Sequence, residues 1–120
     1  MELRDRDGIA DLEKIRTAAE ILIEKGVGRM CVIHFPEGGF AMNRCGEHLY
    51  LPSDMMPKSQ IVSTVGAGDA FCAGTLYSIH ENYPMEKMLR FANTCARFNL
   101  KNATSTGGAP TLQEINESLK

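Results

Sequence analysis

Ile61-Val62-Ser63-Thr64-Val65-Gly66-Ala67-Gly68-Asp69-Ala70-Phe71 is the stretch that decides how this chain is read. An apolar, strand-like opening gives way to a small turn over Thr64–Gly68, and from Asp69 the sequence stays apolar through Ile79, as a helix buried on most sides would. Such a junction points backbone N–H groups outward. The first N–H groups of a helix have no intrahelical partner and carry the positive end of the helix dipole, so the turn is a seat for an anion such as a phosphate oxygen. Glycine lets that anion come close. On residue type alone Asp69 reads first as an N-terminal cap. Beside an anion cradle it is also a carboxylate placed to accept the proton of an attacking hydroxyl while the N–H groups stabilise charge on a transferred phosphoryl group. The spacing is neither a Walker-type loop, which needs Gly-Lys-Ser/Thr, nor the Gly-x-Gly-x-x-Gly of dinucleotide folds.

Upstream of the turn, Leu12, Ile15, Ala18, Ala19, Leu22 and Ile23 recur at helical spacing, predicting an amphipathic helix from Asp11 to Lys25 that stops at Gly26. Met30–Phe35 reads as a buried strand. Phe40–Asn43 and His48–Leu51 read as two further short strands joined by a tight turn, and Leu51 to Ile61 as an extended connection. Downstream, Asn82-Tyr83-Pro84 ends the apolar helix. A second helix is expected from Met85 to about Asn99, and Pro110-Thr111-Leu112-Gln113-Glu114 opens a short last one. The class is therefore α/β, with a sheet too thin to be complete.

Composition narrows the partners. The chain has 120 residues, enough for one core, and Lys+Arg 13 against Asp+Glu 15 leaves a net charge of −2. That balance argues against nucleic acid or an anionic membrane as partner. The opening Met1–Lys14 is too charged for a signal peptide and no apolar run approaches the roughly 20 residues of a membrane span, so the expected compartment is the cytoplasm. Cys31, Cys45, Cys72 and Cys95 show no Cys-x-x-Cys spacing and read as free, mostly buried thiols; with His34, His48 and His80 they announce no metal site.

The segment Thr64-Val65-Gly66-Ala67-Gly68-Asp69-Ala70-Phe71 followed by Ala73-Gly74 resembles the C-terminal signature of the ribokinase-like, or PfkB-type, carbohydrate kinases. Phe91-Ala92-Asn93-Thr94-Cys95-Ala96 is similar to the family's Ala-Asn-Ala-Ala-Ala helix, Thr106-Gly107-Gly108-Ala109-Pro110-Thr111 to its loop before the last helix, and residues 18–27 to the helix before its nucleotide-side strand. The resemblance implies the C-terminal part of a Rossmann-like αβα sandwich, with an incomplete sheet and no lid. It implies Asp69 as the general base, Gly66, Ala67 and Gly68 as the anion hole, Thr64 near the phosphates, Asn93 beside the adenine, and Gly39 and Gly108 on the nucleotide side. The substrates it implies are Mg-ATP and a small sugar or sugar phosphate.

The chain departs from the family pattern in three ways. Ser63 stands where many members carry Asp, and a hydroxyl supplies less charge than a carboxylate, which weakens the expectation of a monovalent cation beside the anion hole. Of the family's Thr-x-Gly-x-x-Gly turn, His34-Phe35-Pro36-Glu37-Gly38-Gly39 keeps only the closing Gly39, and His34 reads as a bystander. The chain is also two to three times shorter than members of the family, whose N-terminal part holds the sugar-contacting residues. Three functions follow: a truncated or split kinase, a non-catalytic remnant that binds a nucleotide or a partner, and a structural fragment that seeks a missing N-terminal half or a homodimer partner.

Overall fold

The structure is a computed structural model that describes residues 3–53, 59, 61, 66–100 and 110–119. It divides into two compact units, Met1–Pro52 and Ser53–Lys120, described here separately.

In the first unit, helix α1 (Leu12–Glu24) starts where Asp11 Oδ1 accepts the N–H groups of Glu13 and Lys14 at 3.1 and 3.3 Å. It stops at Gly26, where φ of +112° lets the N–H of Gly26 reach Ile23 O at 3.1 Å and that of Val27 reach Leu22 O at 3.3 Å. Strands β1 (Met30–Phe35), β2 (Gly38–Asn43) and β3 (His48–Pro52) form an antiparallel meander in the order β1-β2-β3. Short connections dictate that direction, since a parallel pair needs a crossover of a dozen residues or more. In register, His34 pairs with Gly39, and Gly39 in turn with Leu51. Between β2 and β3 the side chain of Asn43 accepts the N–H groups of Cys45 and Glu47, both at 3.0 Å, and closes the turn. The core is Ile15 and Ala19 of α1 against Cys31, Phe35, Phe40 and Met42 of β1 and β2.

The β1–β2 connection is the two-residue turn Pro36-Glu37. Among the described residues only Asn82 is a non-glycine with positive φ, so this turn is not the type I′ favoured between two strands. Gly38, next in the chain, sits at a point of close approach. A Cβ there would collide with the Leu51 carbonyl oxygen and stand 2.8 Å from Pro52 Cα.

The second unit holds α2 (Ala67–His80), α3 (Met85–Leu100) and α4 (Leu112–Ser118). The four residues between α2 and α3 fold them into an antiparallel hairpin. Asn82 (φ +58°) closes α2 as Gly26 closes α1: its N–H bonds Ile79 O at 3.1 Å, and that of Tyr83 bonds Ser78 O at 2.9 Å. Gly74 is the contact point of the hairpin, because a Cβ there would lie 3.0 Å from both Ala92 Cα and Cys95 Sγ. Buried Thr75 and Ser78 are satisfied by their own helix, donating to Phe71 O and Gly74 O at 3.0 and 2.8 Å. Thr111 caps α4 in a reciprocal box with Glu114, and Ile115 joins Phe91 and Cys95 in a small core.

Two expectations need correction. Helix α2 begins at Ala67, not at Asp69, so the end of the expected turn is already helical. It is also covered on one face only: Cys72, Ala73 and Leu76 are exposed, Leu76 by 62%. The apolar circumference of its sequence thus exceeds what the described residues of the second unit cover. Among the described residues no helix is long and apolar enough to cross a membrane.

Candidate functional site

Gly66 is the N-cap of α2, with φ of +83°, a left-handed conformation that glycine enters without steric cost. Having no side chain, it offers the helix no capping acceptor. The first i to i−4 bond runs from Ala70 N to Gly66 O at 2.9 Å, so the N–H groups of Ala67, Gly68 and Asp69 precede the helical ladder. Asp69 is the third helical residue and is exposed, two residues beyond the first-turn start. Its carboxylate therefore stands beside the N-terminal N–H groups rather than in the N-cap position that its residue type suggested. Residues 62–65, Thr64 and Ser63 among them, lie outside the described residues, as does Gly108.

Asp69 borders a cavity of about 420 Å³ between α2, α3 and α4, whose walls include Ala70, Tyr77, Phe91, Asn99 and Ile115. The volume is that of a small-molecule site and the walls are mainly apolar. Tyr77 and Phe91 stack with ring centroids 5.2 Å apart, and Tyr83 meets both edge-on. Asn93 does not line this cavity, although it is buried in the middle of α3. Asn99 does line it, because positions 91, 95 and 99 share a helical face that position 93 does not. A polar residue in an otherwise apolar i, i+4 row was the available signal for Asn99, and the family resemblance drew attention to Asn93 instead.

In the first unit Gly39 is buried in the central strand beside His34 and Leu51. Burial pushes the His34 imidazole below its ordinary value of 6.5. All four cysteines are free, but only Cys31 and Cys95 are buried; Cys45 and Cys72 are exposed, against the expectation of mostly buried thiols. Burial pushes the Cys95 thiol up to about 11, which keeps it protonated and inert at neutral pH. Among the described residues no three His, Cys, Asp or Glu side chains converge on a point where a metal ion could be held.

Comparison with known proteins gives the chain's family and fold relatives. The profile of the pfkB family carbohydrate kinase matches residues 2–112. An uncharacterized sugar kinase of Dictyostelium discoideum is 34% identical over 87 residues, 72% of this chain and 24% of that protein. The 1-phosphofructokinase of Escherichia coli K12 is 31% identical over 88 residues, 73% of this chain and 27% of that protein. In structure, the chain matches Arabidopsis thaliana ribokinase complexed with ribose and ATP with a TM-score of 0.81 at 23% identity, over 92% of this chain and 35% of the other. The chain thus spans about a quarter of the length of the curated relatives it matches.

Proposed function

Because this chain belongs to the pfkB family of carbohydrate kinases, we propose that it supplies the phosphate-binding and catalytic-base part of an enzyme that transfers a phosphoryl group from ATP to a hydroxyl of a sugar or sugar-like compound. One observation carries the proposal: the exposed carboxylate of Asp69 and the N–H groups that precede the ladder of α2 stand on the same helical turn, behind a glycine that leaves them uncapped. In the reaction the acceptor hydroxyl gives its proton to Asp69 as its oxygen bonds the terminal phosphorus, and the bond from that phosphorus to the bridging oxygen breaks to release ADP. The N–H groups of Gly66, Ala67 and Gly68 face the charge that gathers on the transferred group. Thr64, Gly39 and Gly108 are assigned to the nucleotide side and Asn93 to the neighbourhood of the adenine, on the family resemblance.

Magnesium is bound mostly through substrate phosphates and water, and would arrive with the nucleotide. Since the chain spans about a quarter of its relatives, phosphoryl transfer is proposed for the protein to which this segment contributes, and nucleotide binding for the segment itself. Calorimetry with a non-hydrolysable ATP analogue is the direct test. Binding in the millimolar range or tighter is expected, lost when Gly66 or Gly68 becomes valine; an absence of heat at millimolar analogue overturns the reading.

A further inference from the structure

The cavity that Asp69 borders lies among the helices of the second unit, and its interior has no part in the reaction proposed above. At about 420 Å³ it has the volume of a small-molecule site. Among the described residues that line it, Asp69 alone is a charged type, and its carboxylate is exposed. On the α3 side, Cys95 is neutral, its thiol pushed up to about 11 by burial, and Asn99, 1% exposed, contributes an uncharged amide. Ala70, Ile115 and the stacked rings of Tyr77 and Phe91 supply apolar wall.

These walls sort the possible occupants. A phosphate would meet a carboxylate and no cation. A sugar carries a hydroxyl on nearly every carbon, and most of them would be buried against carbon without a hydrogen-bond partner. A wholly apolar molecule would strip water from the Asp69 carboxylate as it filled the cavity and put nothing in its place. An ammonium group on an apolar body meets both demands: the head replaces the water at the carboxylate, and the body covers the rings and the aliphatic wall. We propose that this cavity binds a small organic amine, with its ammonium head on the Asp69 carboxylate and its apolar body among α2, α3 and α4. Binding of the amine does not depend on Asp69 being a base. Its consequence does rest on that reading: an amine seated there occupies the carboxylate that the acceptor hydroxyl must reach, which makes the site inhibitory.

The test uses three probes with one phenyl body and different heads, 2-phenylethylamine, 2-phenylethanol and 3-phenylpropanoate, titrated into the full chain without nucleotide and followed by backbone amide NMR shifts. The amine is expected to bind in the millimolar range and to move amides of residues 70–77 and 91–99. The alcohol should bind roughly 2- to 5-fold more weakly, the scale of one exposed ion pair, and the carboxylate more weakly still. The spread should narrow at about 0.5 M salt. Asp69→Asn should bring the amine down to the level of the alcohol and leave the alcohol unchanged. Ala73→Phe, at an exposed position that lines the cavity, should weaken all three probes; if that variant does not fold, Asp69→Asn decides. Equal binding of amine and carboxylate, amine binding unchanged by Asp69→Asn or by a folded Ala73→Phe, or no binding of any probe overturns the inference. None of these outcomes touches the phosphoryl-transfer reading, which stands or falls on binding of the nucleotide analogue.

Discussion

At Asp69 the sequence and the structure assign one side chain to different places on a helix, and the difference separates two roles. A capping carboxylate belongs at the N-cap, where it accepts an N–H from the first turn. Asp69 is instead the third helical residue, behind a glycine N-cap, and is exposed. Asp69→Asn should therefore leave the unfolding midpoint within about 1 kcal/mol of the parent, the range of an exposed first-turn substitution. In a form of the protein that phosphorylates a sugar, the same change should lower turnover 10²- to 10⁴-fold, the usual contribution of a positioned general base. Sugar-dependent ATP consumption at saturating substrate measures it, and a loss of less than threefold would remove Asp69 from the chemistry. The start of α2 was legible to within two residues because glycine spacing and an apolar run are local patterns. Asn99 was legible only as a polar residue in an apolar helical row; that it lines a cavity was not, because Pro110 and Ile115 on the far wall are distant in sequence and no window of sequence displays the contact.

At the scale of elements, the tightest constraint is Gly74, where two helices meet with no room for a side chain. Gly74→Val places carbon against Ala92 Cα and Cys95 Sγ, each already 3.0 Å from where a Cβ would stand. Overpacking of this kind costs about 1–3 kcal/mol. A fall of that size in the denaturant midpoint of the second unit is expected, together with faster labelling of buried Cys95 by a thiol reagent; an unchanged midpoint would mean that the hairpin can open at that point. The sequence showed α1, β1 and α3 within a residue or two of their observed ends, since helical periodicity, Gly26 and Asn82-Tyr83-Pro84 each act locally. It also carried the Thr111–Glu114 capping box as Thr-x-x-Glu, a start signal that went unused beside the proline before it. Its reading of α2 as buried on most sides came from composition, which records how apolar a helix is and not whether this chain holds anything to cover it. The exposure of Leu76 and Cys72 is the measure of that gap.

For the molecule as a whole, His34 gives stability a sign with pH. Burial lowers its pKa in the fold below the ordinary value of 6.5, so the unfolded chain takes up the proton more readily than the folded one. The stability it permits is therefore complete above about pH 6.5 and is lost as pH falls through the lower folded value. Urea midpoints should be level between pH 7 and 8 and lower at pH 5.5, with a smaller drop in His34→Gln; an equal drop in the variant would place the effect elsewhere. The antiparallel meander and the helical hairpin also have a consequence in time. Among the described residues, the elements that pack extensively within each unit lie next to each other in sequence or one element apart: α1 with β1 and β2, β1 with β2, β2 with β3, α2 with α3, and α3 with α4. Contacts of such short range close small loops, and chains built from them cross their barrier quickly. On a ribosome, which releases an N-terminal unit before a C-terminal one, the meander can form while the last helix, α4, is still being synthesised.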